Sequence, residues 1–274
     1  MKMSTADIQS VSLEIMKDIH SFCVKNGIKY TLYGGSLLGA IRHKGFIPWD
    51  DDIDVAMPRP EFERFIHTYY SEKGYRLFSR GIGGGNEVYI AYARVCDLRK
   101  THVKQKTIWT DSQTGVWVDV FPLDSLEDDI ELCRQRLVRI KKVANKGILY
   151  RLSFSPLNRC STIKGMVKTL IAKIHAVFIN ECPYDRLTRI ATELEWGSTN
   201  HFGNIVFTAY GIKERHRAQV IDSFLLIPFE DTSFFVMCGY DEALKDKYGD
   251  YMILPPIKQQ VAKHDSYEYY WNRD

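Results

Sequence analysis

Asp50, Asp51, Asp52 and Asp54 crowd four carboxylates into five positions, in the run Trp49-Asp-Asp-Asp-Ile-Asp-Val-Ala-Met-Pro58. On an extended strand, residues two apart share a face, so Asp52 and Asp54 would point the same way. Carboxylates on one face repel, and a hard divalent cation relieves that repulsion. Mg2+ is commonly held by one or two carboxylates together with substrate phosphates. Upstream, Gly34-Gly35-Ser36 is a small-residue turn whose backbone N–H groups would let a phosphate approach closely. Between the two lies a basic cluster, Arg42-His43-Lys44. Together these residues suggest metal-assisted transfer at a phosphorus centre.

Three elements must hold these groups in place. Tyr30 to Tyr33 reads as a first strand, leading into the Gly-Gly-Ser turn. Leu37 to Ile41 reads as a helix whose positive end points back at that turn. Asp-x-Asp then enters a short apolar strand, and Pro60 to Tyr70 reads as the next helix. An EF-hand is the competing reading, since Asp50, Asp52, Asp54 and Glu61 fall at loop positions 1, 3, 5 and 12. Val55 stands where that loop needs Gly, and Pro58 and Pro60 break it, so the EF-hand is rejected.

A second stretch offers another carboxylate. In Val116-Trp-Val-Asp-Val-Phe-Pro-Leu-Asp124 apolar residues fill both sides, so Asp119 belongs to a half-buried or buried strand and needs a partner. Asp124 reads as a cap of the following helix. Arg94 and Arg99 lie near the end of a strand, and an arginine fork suits phosphate, although a surface cation is the plainer reading for Arg99.

The stretch from Tyr33 to Pro58 resembles the LicD family, whose members carry a GG-[ST]-LLGA-x-RH-x-GFIPWDDDIDV-x-MPR pattern. Val116 to Asp124 is similar to the family's DVFPLD element, and Tyr248-Gly-Asp-Tyr-Met-Ile-Leu-Pro-Pro256 to its C-terminal signature, with His264 beyond. The resemblance covers most of the chain and is weakest at 134–200. It implies an α/β (α+β) fold, with a nucleotidyltransferase-like mixed sheet flanked by helices and an added helical segment. It also implies transfer of phosphocholine or a related phospho-alcohol from a CDP-alcohol donor to a glycan or its lipid-linked precursor, releasing CMP; the fukutin group is a relative. Asp52 and Asp54 would hold Mg2+ or Mn2+, and Asp119 would either bind metal or take the acceptor's proton. Gly34, Gly35, Ser36, Arg42, His43, Lys44 and Arg94 would meet the donor. A choline group would want aromatic faces, for which Trp49, Trp109 and Trp117 are candidates.

The remainder of the 274 residues sets the context. With 45% hydrophobic and 26% charged residues the composition is that of a globular protein, and a net charge of +3 with no recognition motif argues against nucleic acid. The six cysteines are scattered, which fits reduced thiols in the cytoplasm rather than a zinc site or a disulfide scaffold. The N-terminus lacks a signal-peptide core, and no apolar run is long enough for a membrane span.

Residues 5–25 read as an amphipathic helix capped by Ser4 or Thr5 and stopped at Asn26-Gly27. The glycine run Gly81 to Asn86 precedes a strand, Glu87 to Val95, and reads as a hairpin or loop. Residues 134–180 contain no Asp or Glu and read as two basic helices around a loop at Ser153 to Cys160. They suit either peripheral contact with anionic lipid at the inner face of the membrane or an ordinary solvated face. Further on, Tyr184 to Trp196 reads as a helix, Asn204 to Phe207 as a strand, and Leu225 to Met237 as a strand pair about Asp231-Thr232.

The expected organisation is a catalytic core at 1–130, a basic helical insertion at 131–200 and a C-terminal part at 201–274 that completes the core. Three other functions compete. A true nucleotidyltransferase would release pyrophosphate. A glycosyltransferase would use Asp-x-Asp for a sugar nucleotide, but the motif comes within 20 residues of Gly35, which leaves no room for a nucleotide-binding βαβ half before it. A silent basic scaffold is opposed by the intact Asp52, Asp54 and Asp119.

Overall fold

An eleven-residue strand, β6 (Val116–Leu126), is the spine of the protein and is buried along its whole length. Its alternation of Val with Trp, Asp and Phe suits a strand covered on both faces. In the computed structural model, which describes residues 1–80, 82, 90–105, 114–155, 157, 162–207, 210–261 and 267–272, β6 pairs in parallel with β2 (Asp54–Pro58). On its other side it pairs antiparallel with β4 (Ala93–Asp97). β1 (Thr31–Leu32) and β3 (Arg76–Ser79) complete a mixed sheet in the order β1-β2-β6-β4-β3. The far end of β6 also pairs with β7 (His201–Gly203), which pairs with β8 (His216–Arg217).

Helices cover this sheet, so the fold is mixed α/β, as the sequence implied. α1 (Thr5–Asn26) lays the stripe Ile8, Val11, Ile15, Met16, Ile19 and Cys23 into the main core. Ser4 and Asp7 form a reciprocal capping box, and Gly27 ends the helix in the left-handed conformation. Such a cap contributes about 1 kcal/mol. α2 (Gly34–Arg42) and α3 (Arg59–Thr68) flank β2 in sequence. β9 (Phe224–Phe229) and β10 (Thr232–Met237) form the expected hairpin, turning at Glu230-Asp231 with Glu230 at φ 53°. β10 is tied to β1 by Met237 N–H donating to Thr31 Oγ1 at 2.9 Å.

A second apolar cluster lies between α4 (Ile130–Ser153) and α6 (Pro183–Ala191), joining Cys133, Ile140, Val143, Leu187 and Ile190 to Leu126 at the end of β6. Arg136, one of the basic residues of this segment, is buried and donates to the carbonyls of Ser125, Ile190 and Ala191. α5 (Ile163–Val177) packs on α4. α7 (Tyr240–Tyr248) stops at Gly249. β5 (Thr101–Gln105) and β11 (Tyr267–Trp271) pair antiparallel, a ladder the sequence reading did not foresee.

Several expectations need correction. Gly34-Gly35-Ser36 is the first turn of α2, not a separate turn ahead of it. β2 starts at Asp54, so Asp52 lies just before the strand rather than on it. Asp124 caps nothing: it belongs to β6 and accepts a two-pronged ion pair from buried Arg59, at 2.6 and 2.8 Å. Asp129 caps α4 instead, accepting from the N–H groups of Glu131 and Leu132. Residues 204–207 are not a strand; β7 ends at Gly203. Among the described residues Cys23, Cys96, Cys133, Cys182 and Cys238 are free. Trp109, Arg159, Cys160, His264 and all of the glycine run except Ile82 lie outside the described residues, as do residues 87–89 of the expected strand.

Candidate active site

Three adjacent strands carry Asp54, Asp119 and Arg94 in a single row. Asp54 of β2 is the register partner of Asp119 of β6, and Asp119 is the register partner of Arg94 of β4. Direct partners in a ladder project to the same face, so the sheet itself sets these side chains side by side. Arg94 donates from Nε to Asp119 Oδ1 at 2.8 Å and from Nη2 to Oδ2 at 3.2 Å. Trp117, two residues along β6 and so on the same face, donates its Nε1–H to Asp119 Oδ2 at 3.1 Å. The guanidinium of Arg94 also lies over the Trp117 ring, 4.0 Å from its centre. Asp119 therefore has the partners its burial demanded, and its orientation is fixed from two directions.

The first turn of α2 meets the start of β2. Ser36 Oγ accepts from Asp54 N–H at 2.8 Å, and Tyr33 N–H donates to the Asp54 carbonyl at 2.9 Å. These bonds explain why the serine follows the two glycines. Its oxygen ties the helix to the acidic strand while the hydroxyl proton stays available as a donor. The glycines are needed because the carboxylates come so close. A Cβ on Gly34 would stand 3.3 Å from Asp54 Oδ2, and one on Gly35 only 2.6 Å from Asp50 Oδ2. Gly34 also adopts φ 56°, which favours glycine. The opening amides of a helix have no partners within it, so this turn presents N–H groups beside the acidic loop.

Five carboxylates gather here. Asp50, Asp51 and Asp52 have oxygens within 4.8 Å of one another, the group of three that meets this test among the described residues. Asp54 and Asp119 are not members of that group. Burial pushes the Asp54 carboxyl well above the ordinary carboxylate range, and the like charges of Asp52, Asp119 and Asp50 push it further; Lys247 opposes them. Such a set of hard oxygen donors fits a divalent cation of the Mg2+ or Mn2+ type.

Beneath Tyr33 lies a cluster that the sequence reading missed. Lys247 of α7 pairs with Glu214 at 2.8 Å, and both are buried. Tyr33 O–H donates to the other oxygen of Glu214. The Lys247 ammonium lies 4.4 Å from the ring centres of both Tyr33 and Tyr210. Glu214 comes from the 3-10 turn Gly211–Glu214, far from both partners in sequence. A lysine in an ordinary amphipathic helix gives no signal of such a role.

The basic cluster sits elsewhere. Arg42, His43 and Lys44 are at the C-terminal end of α2, about 12 Å of helix rise from Gly34. Arg42 donates from Nη1 to the Tyr251 carbonyl at 2.7 Å and from Nε to His43 Nε2 at 2.9 Å. Burial and the Arg42 charge hold His43 below the usual histidine range. Lys44 is exposed in a left-handed turn at φ 63°, and its carbonyl accepts from Glu230 N–H. The structure thus brings together Gly34, Gly35, Ser36, Asp52, Asp54, Asp119 and Arg94, and sets Arg42, His43 and Lys44 apart from the first turn. Trp49 meets His43 edge-on, and one face of buried Trp117 is taken by Arg94. Tyr267 and Tyr269 of β11 lie against Trp117, with ring centres 5.2 and 5.5 Å away.

Comparison with known proteins bears on this arrangement. Residues 27–150 match the family model described as "LicD/FKTN/FKRP, nucleotidyltransferase domain". The chain is 31% identical to the lipopolysaccharide cholinephosphotransferase LicD of Haemophilus influenzae, over 96% of its own length and 97% of that protein. It is 36% identical to an uncharacterized Rickettsia typhi protein over 40% of this chain and 33% of that one. A shorter match, 58% identical over 31 residues, joins it to the human ribitol 5-phosphate transferase FKRP, covering 11% of this chain and 6% of that protein.

Proposed function

The chain belongs to the LicD family and is a LicD-like phosphotransferase, and on that premise we propose that it moves a phospho-alcohol, phosphocholine in the first instance, from a CDP-alcohol to a hydroxyl of a glycan or its lipid-linked precursor. Relatives named for cholinephosphate and ribitol phosphate transfer support phospho-alcohol transfer to a glycan. The observation that carries the site assignment is the row Asp54–Asp119–Arg94, set beside the first turn of α2.

In this reading the acceptor hydroxyl attacks the phosphorus bearing the alcohol. The bond from that phosphorus to the bridging oxygen breaks, CMP leaves, and the hydroxyl proton passes to water. Asp52 and Asp54 would hold a divalent cation, with Asp119 beside them, and the ion would offset charge on the diphosphate and the departing CMP. The first-turn amides of Gly34 and Gly35 and the Ser36 hydroxyl orient phosphate oxygens at the positive end of α2. Arg94 acts through Asp119: its two-pronged bond holds that carboxylate in place, with Trp117 as the third support. The buried Lys247 supplies positive potential from below, against the combined charge of the aspartates.

The test is product analysis. The protein is incubated with Mg2+ or Mn2+, a glycan acceptor and, in turn, CDP-choline, CDP-ethanolamine, CDP-glycerol or CDP-ribitol. Metal-dependent CMP release with phospho-alcohol on the glycan is expected. Pyrophosphate from a nucleoside triphosphate would favour the nucleotidyltransferase reading. Turnover of UDP-sugars alone would overturn the proposal.

A further inference from the structure

α5 is packed inside out. Its protein-facing stripe is made of small residues, with Thr169 and Ala172 each 1% exposed and Gly165 and Ala176 half-buried. Its bulky apolar residues face away from the protein. Ile163 is 82% exposed, Ile171 and Ile174 56%, and Val177 79%; Met166, Val167, Leu170 and Phe178 are exposed as well. At 3.6 residues per turn the small stripe and the bulky stripe lie on roughly opposite sides of the helix. A helix of a globular protein ordinarily does the reverse, burying its large residues against the core.

The charges complete the pattern. Lys164 and Lys168 are exposed along one flank of the bulky stripe. On the other flank Lys173 reaches back to donate to the Ser153 carbonyl at 2.6 Å. The sequence carries no Asp or Glu from 134 to 180. Ile148, Leu149 and Phe154, at the end of α4 nearest α5 in sequence, are also exposed, as are Lys141, Lys142 and Lys146. The described residues contain no helix long and apolar enough to cross a membrane.

We propose that α5 is an interfacial helix that lies flat in the surface of an anionic lipid bilayer, its bulky stripe among the upper acyl chains and its lysines at the headgroup phosphates. A broad apolar face flanked by lysines is the composition such helices use, and they sink about 5–10 Å into the headgroup boundary. Charge chooses between the candidate occupants. A second copy of the chain would bring lysine against lysine with no acidic residue of this segment to meet it, whereas an anionic surface complements every exposed charge on the helix. The structure also separates α5 from the rest of the basic segment: α4 is held by its own core through Cys133, Ile140 and Val143, so α5 is the element left to bind. This inference stands apart from the reaction proposed above, and its test does not read activity.

The whole protein is sedimented with vesicles of phosphatidylethanolamine plus phosphatidylglycerol, and with vesicles of phosphatidylcholine alone. Binding to the anionic vesicles at low salt is expected, weakening as salt rises. The exposed-site variant Leu170→Glu/Ile174→Glu should lower the partition coefficient at least about tenfold, and Lys164→Gln/Lys168→Gln about tenfold on anionic vesicles only. Far-ultraviolet circular dichroism and the melting midpoint confirm that both variants fold. Failure to bind anionic vesicles at low salt would overturn the proposal, as would undiminished binding of the glutamate variant. A dimer in solution that the glutamate variant dissolves, without vesicle binding by the parent, would give the face to a second copy instead.

Discussion

Asp54 and Asp119 face each other as direct partners across a parallel ladder, although 64 residues separate them in the chain. The pairing puts two carboxylates on one face of the sheet with Arg94 bound to the second. Asp54→Asn removes a charge that burial and its neighbours disfavour, while keeping the shape. Folding stability should therefore hold or rise slightly at neutral pH, whereas transfer should fall by about 100-fold or more. A urea midpoint and a CMP-release assay on the same preparation check both halves. Full activity would remove Asp54 from the site.

Arg94→Lys keeps the charge and loses the fork. Asp119 then keeps one charged contact rather than two, and the loss should be about 1–3 kcal/mol of stability. If Arg94 positions Asp119, the apparent requirement for divalent cation should also rise, read as a higher Mg2+ concentration at half-maximal rate. A variant that lost stability alone would make Arg94 purely structural.

Lys247→Met strands Glu214 and unbalances the cluster under Tyr33. Removing one partner of a buried pair costs about 3–5 kcal/mol. The double change Lys247→Met/Glu214→Gln should recover much of that stability, because it leaves no lone buried charge. Activity should not recover with it if the Lys247 charge acts on the aspartates; melting and rate measured together separate the two effects.

Gly35→Ala places a methyl 2.6 Å from Asp50 Oδ2 and forces the Asp50 carboxylate to shift. The expected result is a loss of roughly tenfold or more in turnover with a modest loss of stability, since a displacement of about 1 Å at a reacting site is costly. Unchanged turnover would show that Asp50 can move without consequence.

Acid should weaken the fold before the carboxylates titrate. Burial holds His216 and His20 below their ordinary value of 6.5, so the unfolded chain binds protons that the folded one refuses. Glu214 and Asp246 pull His216 the other way, and burial outweighs them. Stability is then fully present above about pH 6.5 and is lost as pH falls toward the folded values. Urea midpoints from pH 7.5 down to 5.5 should decline, and His216→Gln should flatten part of the slope. A midpoint constant over that range would contradict the sign.

The sequence by itself determined the local chemistry. Gly34, Gly35 and Ser36 ahead of the Asp50–Asp54 run, the buried Asp119, the α1 cap and the acid-free segment are all readable because each depends on spacing or composition within one element. Where a neighbour in space decides the outcome, the same reading failed. Asp124 looked like a helix cap because its partner Arg59 lies 65 residues away. Arg94 looked like a free phosphate ligand until the β4–β6 register set it against Asp119. Arg42 and Gly34 seemed to belong to one phosphate site until α2 held them at opposite ends. Lys247 and Glu214 carried no local mark at all. Only the tertiary structure decided which of the charged residues meet, because a charge shows its type in the sequence but finds its partner through strand register and helix packing.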